Sequence, residues 1–217
     1  METKDLRILW IGSEFYPYII GGVGRKSSLL VNALSRNGLK VMVLTRGKKR
    51  SLFGWQRISG IKIYFVKQYL RGFLGSLWAG LCWLMVLYRE RNGYDIICAQ
   101  QLYSATLIAC LIKGFFKKKV IAQPAVSGEI QRLRKRIFGE LRYRIIKKFT
   151  DYFIAICEDI REDLLNNGID KKKIIKIPNG VDTDIFRPVS KEERQRFYAD
   201  LNLPRYSYII FCGRLEE

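Results

Sequence analysis

Short runs of consecutive apolar residues alternate with longer stretches in which apolar residues recur every three or four positions, and the alternation persists along most of the chain. Residues 6–11 are apolar except for Arg7 and stop at Gly12, as in a strand buried on both faces. After a loop carrying Pro17 and three glycines, Leu29, Leu30, Ala33 and Leu34 place an apolar stripe on a helix over 27–37, closed by Gly38. Residues 40–45 read as a second buried strand and complete a βαβ unit. The pattern continues with a strand over 60–66, an apolar helix to about Arg91, a strand over 96–99, a helix over 104–116 and a strand over 120–122. A long basic helix over 129–148, a strand over 152–156, a helix over 158–167 and a strand over 174–177 follow. Such alternation predicts an α/β fold, a Rossmann-like doubly wound and mostly parallel sheet, with ligands beyond the carboxyl ends of the strands. A further helix over 191–201 and a strand over 208–211 are predicted to open a second domain.

The run 72–88 is apolar on every side. At seventeen residues with three glycines, it is short for a membrane span and reads as a buried or membrane-resting helix. With 217 residues, 48% of them hydrophobic, the chain buries a sizeable core. The start at Met1 runs directly into a strand with no apolar signal region, and the five cysteines lie in apolar contexts without metal-site spacing. Reduced thiols in a cytoplasmic protein are therefore expected. Histidine is absent, which excludes a Ser-His or Cys-His pair and any His-bound metal. The formal charge of +19 predicts attraction to phosphate-rich partners. No nucleic-acid recognition motif accompanies it, so nucleic acid is not an expected partner.

Gly21, Gly22 and Gly24 lie between the first strand and first helix, where backbone approach and free helix amides suit a phosphate. A tight turn is the alternative reading. About nine residues separate the strand from the glycines, and no acidic residue ends the second strand. Both facts fit a nicotinamide-binding fingerprint poorly.

The blocks Glu14-Phe15-Tyr16-Pro17, Gly21-Gly22-Val23-Gly24, residues 38–45, Tyr94-Asp95-Ile96-Ile97, residues 150–158, Ile177-Pro178-Asn179-Gly180-Val181-Asp182 with Phe186 and Pro188, and residues 211–215 occur in this order. Together they resemble the N-terminal domain of a family 4 (group 1) retaining glycosyltransferase of the GT-B fold. The resemblance covers essentially the whole chain. It implies that residues 1–188 form an acceptor-binding Rossmann-like domain, and that residues 189–217 are a linker helix and the first strand of a missing donor domain. It also implies a nucleotide-sugar donor as substrate, no metal or other cofactor, and a sugar or lipid-linked acceptor. Gly21 and Gly22 would stabilise the donor diphosphate through backbone amides, and Arg214 would grip it with its guanidinium. Asn179, Gly180 and Asp182 look like interdomain architecture. A half-enzyme is expected to be inactive alone; the alternative is a non-catalytic module that binds a membrane or acceptor and pairs with a separate donor subunit.

Two departures from the family pattern concern catalysis. Gln100-Gln101 and the segment Gln123–Glu129 stand where the family often carries histidines, and glutamine is no general base near neutral pH. Gln100, Gln123 and Ser127 are candidate acceptor or cleft residues. Glu129 is the weak catalytic candidate: it could position an acceptor hydroxyl or cap the next helix. Cys157 replaces a serine that the family usually has. Residues 131–148 hold eight Lys or Arg and one acid, Glu140. On a continuous helix Leu133, Ile137, Leu141 and Ile145 share one side, with Arg132, Lys135, Arg136, Arg142 and Lys147 on the other. One reading is a core-packed helix with a solvated basic face. The other is docking on an anionic membrane, aided by Trp78 or Trp83, which would make the protein peripheral on the inner face of the membrane.

Overall fold

Among the described residues, eight strands form one sheet in the order β3-β4-β2-β1-β5-β6-β7-β8. They are β1 (Arg7–Ile11), β2 (Lys40–Gly47), β3 (Gly54–Ile58), β4 (Ile61–Lys67), β5 (Ile96–Gln100), β6 (Lys119–Gln123), β7 (Tyr152–Ala155) and β8 (Ile174–Lys176). The computed structural model describes residues 6–18, 21–47, 53–67 and 72–204. All pairings are parallel except β3 with β4. The central strand β1 pairs with β2 on one side, Ile11 opposite Leu44, and with β5 on the other, Ile11 opposite Ala99. The order therefore reverses between β1 and β5, which makes a topological switch point.

Among the described residues seven α-helices connect or follow the strands: α1 (Gly22–Arg36), α2 (Gly72–Arg89), α3 (Ser104–Phe116), α4 (Glu129–Arg134), α5 (Gly139–Phe149), α6 (Glu158–Asn166) and α7 (Lys191–Asp200). Parallel strands must be covered on both faces, and two buried clusters do this. Leu9 and Ile11 join Trp83, Leu87, Ile108, Ile146 and Leu164 in the larger one. Trp10, of opposite side-chain direction on the same strand, joins Phe15, Val31, Ile63 and Phe65 in the smaller one. The α/β, doubly wound reading of the sequence is the observed architecture.

Three details differ from the sequence reading. The helix expected over 27–37 starts five residues earlier, so that Gly22 and Gly24 lie in its first turn. Strand β3 was not expected; Ser59 and Gly60, both with positive φ, form the two-residue turn that lets a strand pair back antiparallel. The basic helix over 129–148 is two helices. α4 ends at Arg134, Phe138 adopts a left-handed conformation, and α5 begins at Gly139. A Cβ on Gly139 would lie 2.3 Å from the Leu133 carbonyl oxygen, so the chain turns here by bringing backbone against backbone. Leu133 is consequently buried while Ile137 and Leu141 are exposed, and the single apolar stripe does not exist. Trp83, one of the two expected membrane anchors, is fully buried on the inner side of α2, with the Arg46 guanidinium 5.4 Å from its ring.

The chain divides into two compact units, Met1–Asn179 and Gly180–Glu217. In the second, Ser190 and Glu193 form a reciprocal capping box at the start of α7, and Asp182 accepts from the Asp184 and Ile185 amides. The expected strand over 208–211, with Cys212 and Arg214, lies outside the described residues. Replacing Gly139 with alanine should destabilise the first unit by about 1–3 kcal/mol through forced overpacking. A lowered urea midpoint measures this, and an unchanged midpoint would show that the α4–α5 junction relaxes freely.

Candidate functional site

A cavity of about 290 Å³ opens at the carboxyl ends of the strands, lined by Gly22, Val23, Lys26, Gln100, Gln123, Pro124, Ala125, Ile156 and Asn179. Several strand ends and the start of α1 contribute to it, as expected beside a switch point. Helix α1 has Gly21 as its N-cap and so no side-chain cap, which leaves the amides of its first turn for water or a ligand. A Cβ on Gly21 would come within 2.8 Å of the Glu14 carboxylate, whereas one on Gly22 would meet nothing within 4 Å. Gly21 thus lets Glu14 close behind the loop, and Gly22 keeps the cavity mouth clear.

Gln100 is buried and its amide is already engaged. It accepts from the Ser27 hydroxyl, and its Nε2 donates to the Val23 carbonyl at 3.1 Å. It lines the cavity while tying α1 to β5. Gln123 is also buried, yet its side-chain amide bonds no described residue and remains available to a ligand. Ser127 is exposed and does not line the cavity.

Two polar residues that sequence reasoning did not place at the site also line the cavity. Lys26, one turn beyond Gly22, forms no ion pair or hydrogen bond with a described residue, and burial lowers its ammonium pKa to about 8. A cation placed one turn beyond a glycine loop was the available signal. Asn179, read from sequence as an architectural residue, also lines the cavity.

Glu129 is buried at the first position of α4. Its Oε2 accepts from the Ala125 amide at 3.2 Å, and Oε1 has no hydrogen-bond partner among the described residues. It therefore fastens the preceding cavity loop rather than capping α4, whose N-cap is Gly128. Burial raises its pKa to about 7, opposed by the Ala125 and Leu102 amides and by Arg132. Among the described residues no three His, Cys, Asp or Glu side chains cluster to hold a metal. Burial pushes the Cys98 thiol up to about 12 and Cys110 to about 11, so neither is a nucleophile at neutral pH.

The five basic residues assigned to one helix face are spread over two helices and their junction. Arg132 lies on α4, Lys135 is its C-cap, and Arg136 sits over the Tyr103 ring at 4.4 Å. Arg142 turns inward on α5 and donates to the Ser104 hydroxyl at 3.4 Å, while Lys147 lies near Gly168.

A mostly parallel, doubly wound sheet with a glycine-loop cavity at its switch point defines a Rossmann-like half of a GT-B fold. Residues 20–185 match the model of Glycosyltransferase Family 4, and the chain belongs to that family. It is 23% identical over 199 residues to a phosphatidylinositol N-acetylglucosaminyltransferase subunit from Arabidopsis thaliana, covering 87% of this chain and 43% of that protein. In fold it is similar to sucrose-phosphate synthase from Thermosynechococcus elongatus, with a TM-score of 0.69 and 17% identity over 92% of this chain and 53% of the other. The HepE protein of Anabaena, solved with UDP and glucose, gives a TM-score of 0.61 and 16% identity over 91% of this chain and 50% of that one. The chain spans about half the length of the relatives it matches.

The raised pKa of Glu129 has a thermodynamic sign. The fold holds its proton more tightly than the unfolded chain does. The stability this contributes is therefore full below pH 4.5 and is lost as pH rises through about 7. Glu129→Gln should remove that dependence, so the variant gains about 2–3 kcal/mol on the wild type between pH 5 and pH 8. Urea unfolding of both proteins at the two pH values measures the difference.

Proposed function

We infer that this chain is the acceptor-binding half of a retaining transferase that moves a sugar from a nucleotide-sugar donor to an acceptor hydroxyl. Residues 1–188 form that half, and residues 189–217 lead into a donor domain. The observation that carries the reading is the cavity at the switch point, where the uncapped start of α1, the unpaired Lys26 and the free Gln123 amide converge. Such a set suits the chemistry of departure. As the glycosidic bond to the donor breaks, negative charge grows on the diphosphate, and fixed amides with a nearby ammonium stabilise it. The acceptor oxygen bonds to the anomeric carbon, and its proton passes to the departing phosphate oxygen. Neither Gln100 nor Gln123 takes part as a base. Glu129 acts by holding the Ala125 loop.

The relatives support a substrate class. HepE was solved with UDP and glucose, which favours a uridine diphosphate sugar. The Arabidopsis relative is named for transfer to phosphatidylinositol, which favours a lipid-linked acceptor.

Calorimetric titration with UDP, and release of UDP from UDP-sugars, should be measured for this chain alone and for the chain fused to the donor domain of a family 4 relative. Alone it should bind UDP more weakly than about 1 mM and turn nothing over. The fusion should bind at least about tenfold more tightly, a gain that Gly22→Val removes by filling the open cavity mouth. Equal, tight UDP binding by both forms would overturn the half-enzyme reading.

A further inference from the structure

Helix α2 is apolar on two opposite sides, and the domain core uses one of them. Ala79, Trp83, Val86 and Leu87 are buried against the sheet. On the opposite side Leu74, Leu77, Leu81, Met85 and Tyr88 are 52–59% exposed, at three- and four-residue spacings that keep them in one row. Between Gly72 and Tyr88 there is no charged residue at all. Single exposed leucines need no explanation, but a continuous row of large apolar side chains on a solvent-facing helix marks a contact surface.

The row continues onto the neighbouring helix. Tyr88 lies 5.7 Å from the Phe116 ring, and Leu111 and Phe115 of α3 are exposed beside it, Phe115 at 80%. Helix α3 packs between α2 and α5, and α5 presents Leu141, Arg144 and Lys148 outward. At the margins the surface becomes basic, with Arg89 ending α2, Lys117 closing α3, and Arg144 and Lys148 on α5. The only acid on these three helices is Glu140, which is paired with Arg134 and Arg144.

An apolar centre bordered by cations and lacking a free carboxylate matches an anionic bilayer surface, where acyl chains lie beneath a layer of phosphates. The geometry points to the outer face of α2 and α3, flanked by α5, as the surface on which this protein rests on anionic lipid. This makes α2 and α3 the centre of the contact and keeps only α5 of the basic 129–148 segment, at its flank. The row from Leu74 to Tyr88 enters the acyl boundary, and Arg89, Lys117 and Lys148 meet the head groups. The protein lies on the membrane rather than through it: among the described residues no helix is long and apolar enough to cross. The inference is independent of glycosyl transfer.

Co-sedimentation of the whole chain tests it, using phosphatidylcholine vesicles with and without about one third phosphatidylglycerol, at low and high salt. The wild type should pellet with the anionic vesicles, and salt should weaken this. Leu77→Gln, Leu81→Gln and Met85→Gln together should lower the affinity at least about tenfold with the unfolding temperature unchanged. Arg89→Gln, Lys117→Gln and Lys148→Gln should reduce binding to anionic vesicles alone, by about fivefold for each charge. Wild type left in the supernatant at low salt would overturn the proposal, as would wild-type binding by both variant sets. A defined oligomer that the leucine and methionine changes convert to monomer, without any vesicle binding, would instead make this face a protein interface.

Discussion

The buried amide of Gln100 joins the end of β5 to the first turn of α1, with Ser27 and the Val23 carbonyl as its partners. An amide buried without partners costs about 1–3 kcal/mol for each unsatisfied group. The glutamine is therefore kept by the same bonds that fix the position of the glycine loop. That position decides where the uncapped amides of α1 and the Lys26 ammonium point. A histidine at residue 100 could not both donate to Val23 and accept from Ser27 in the same way, since its two ring nitrogens diverge. The work of the glutamine is therefore positional.

The two faces of the sheet carry unequal burdens. On one, α1 covers a small cluster around Trp10 and Phe65. On the other, α2, α3 and α5 form an outer layer over the main core. Helix α2 anchors that layer through Trp83, whose burial also brings the Arg46 guanidinium into a low-dielectric site and lowers its pKa. Because the inner side of α2 is locked by Trp83 and Leu87, its outer row is held rigidly and cannot fold inward to escape water. Local order and surface exposure of apolar groups therefore come from the same packing.

Much of this architecture was legible from residue pattern. Strands β1, β2, β5, β6 and β7 are continuous apolar runs because they are covered on both faces, and that signature is unambiguous. The hairpin partner β3 was not legible, since Gly54-Trp55-Gln56-Arg57-Ile58 alternates weakly at a sheet edge and depends on a positive-φ turn at Ser59-Gly60. The break between α4 and α5 was hidden for a similar reason. Periodicity averages over a turn, whereas a close backbone approach at Gly139 is a tertiary event. In the candidate site, the glycines and glutamines could be read from their places after strands. Lys26 carried a signal in its place one turn beyond the glycine loop, but only the fold showed that, of thirty-nine basic residues, it is half-buried and unpaired among the described residues.

Lys26 also makes the cavity a proton-linked site. Its ammonium has been drawn partly out of water with no carboxylate paired to it among the described residues, and burial lowers its pKa to about 8. An anion lodged beside it restores the missing counter-charge and draws the pKa back toward the ordinary 10.5. Between those two values, occupancy of the cavity and uptake of a proton become one event. The affinity of this cavity for an anion is then set jointly by the geometry of its lining and by the acidity of the surrounding solution.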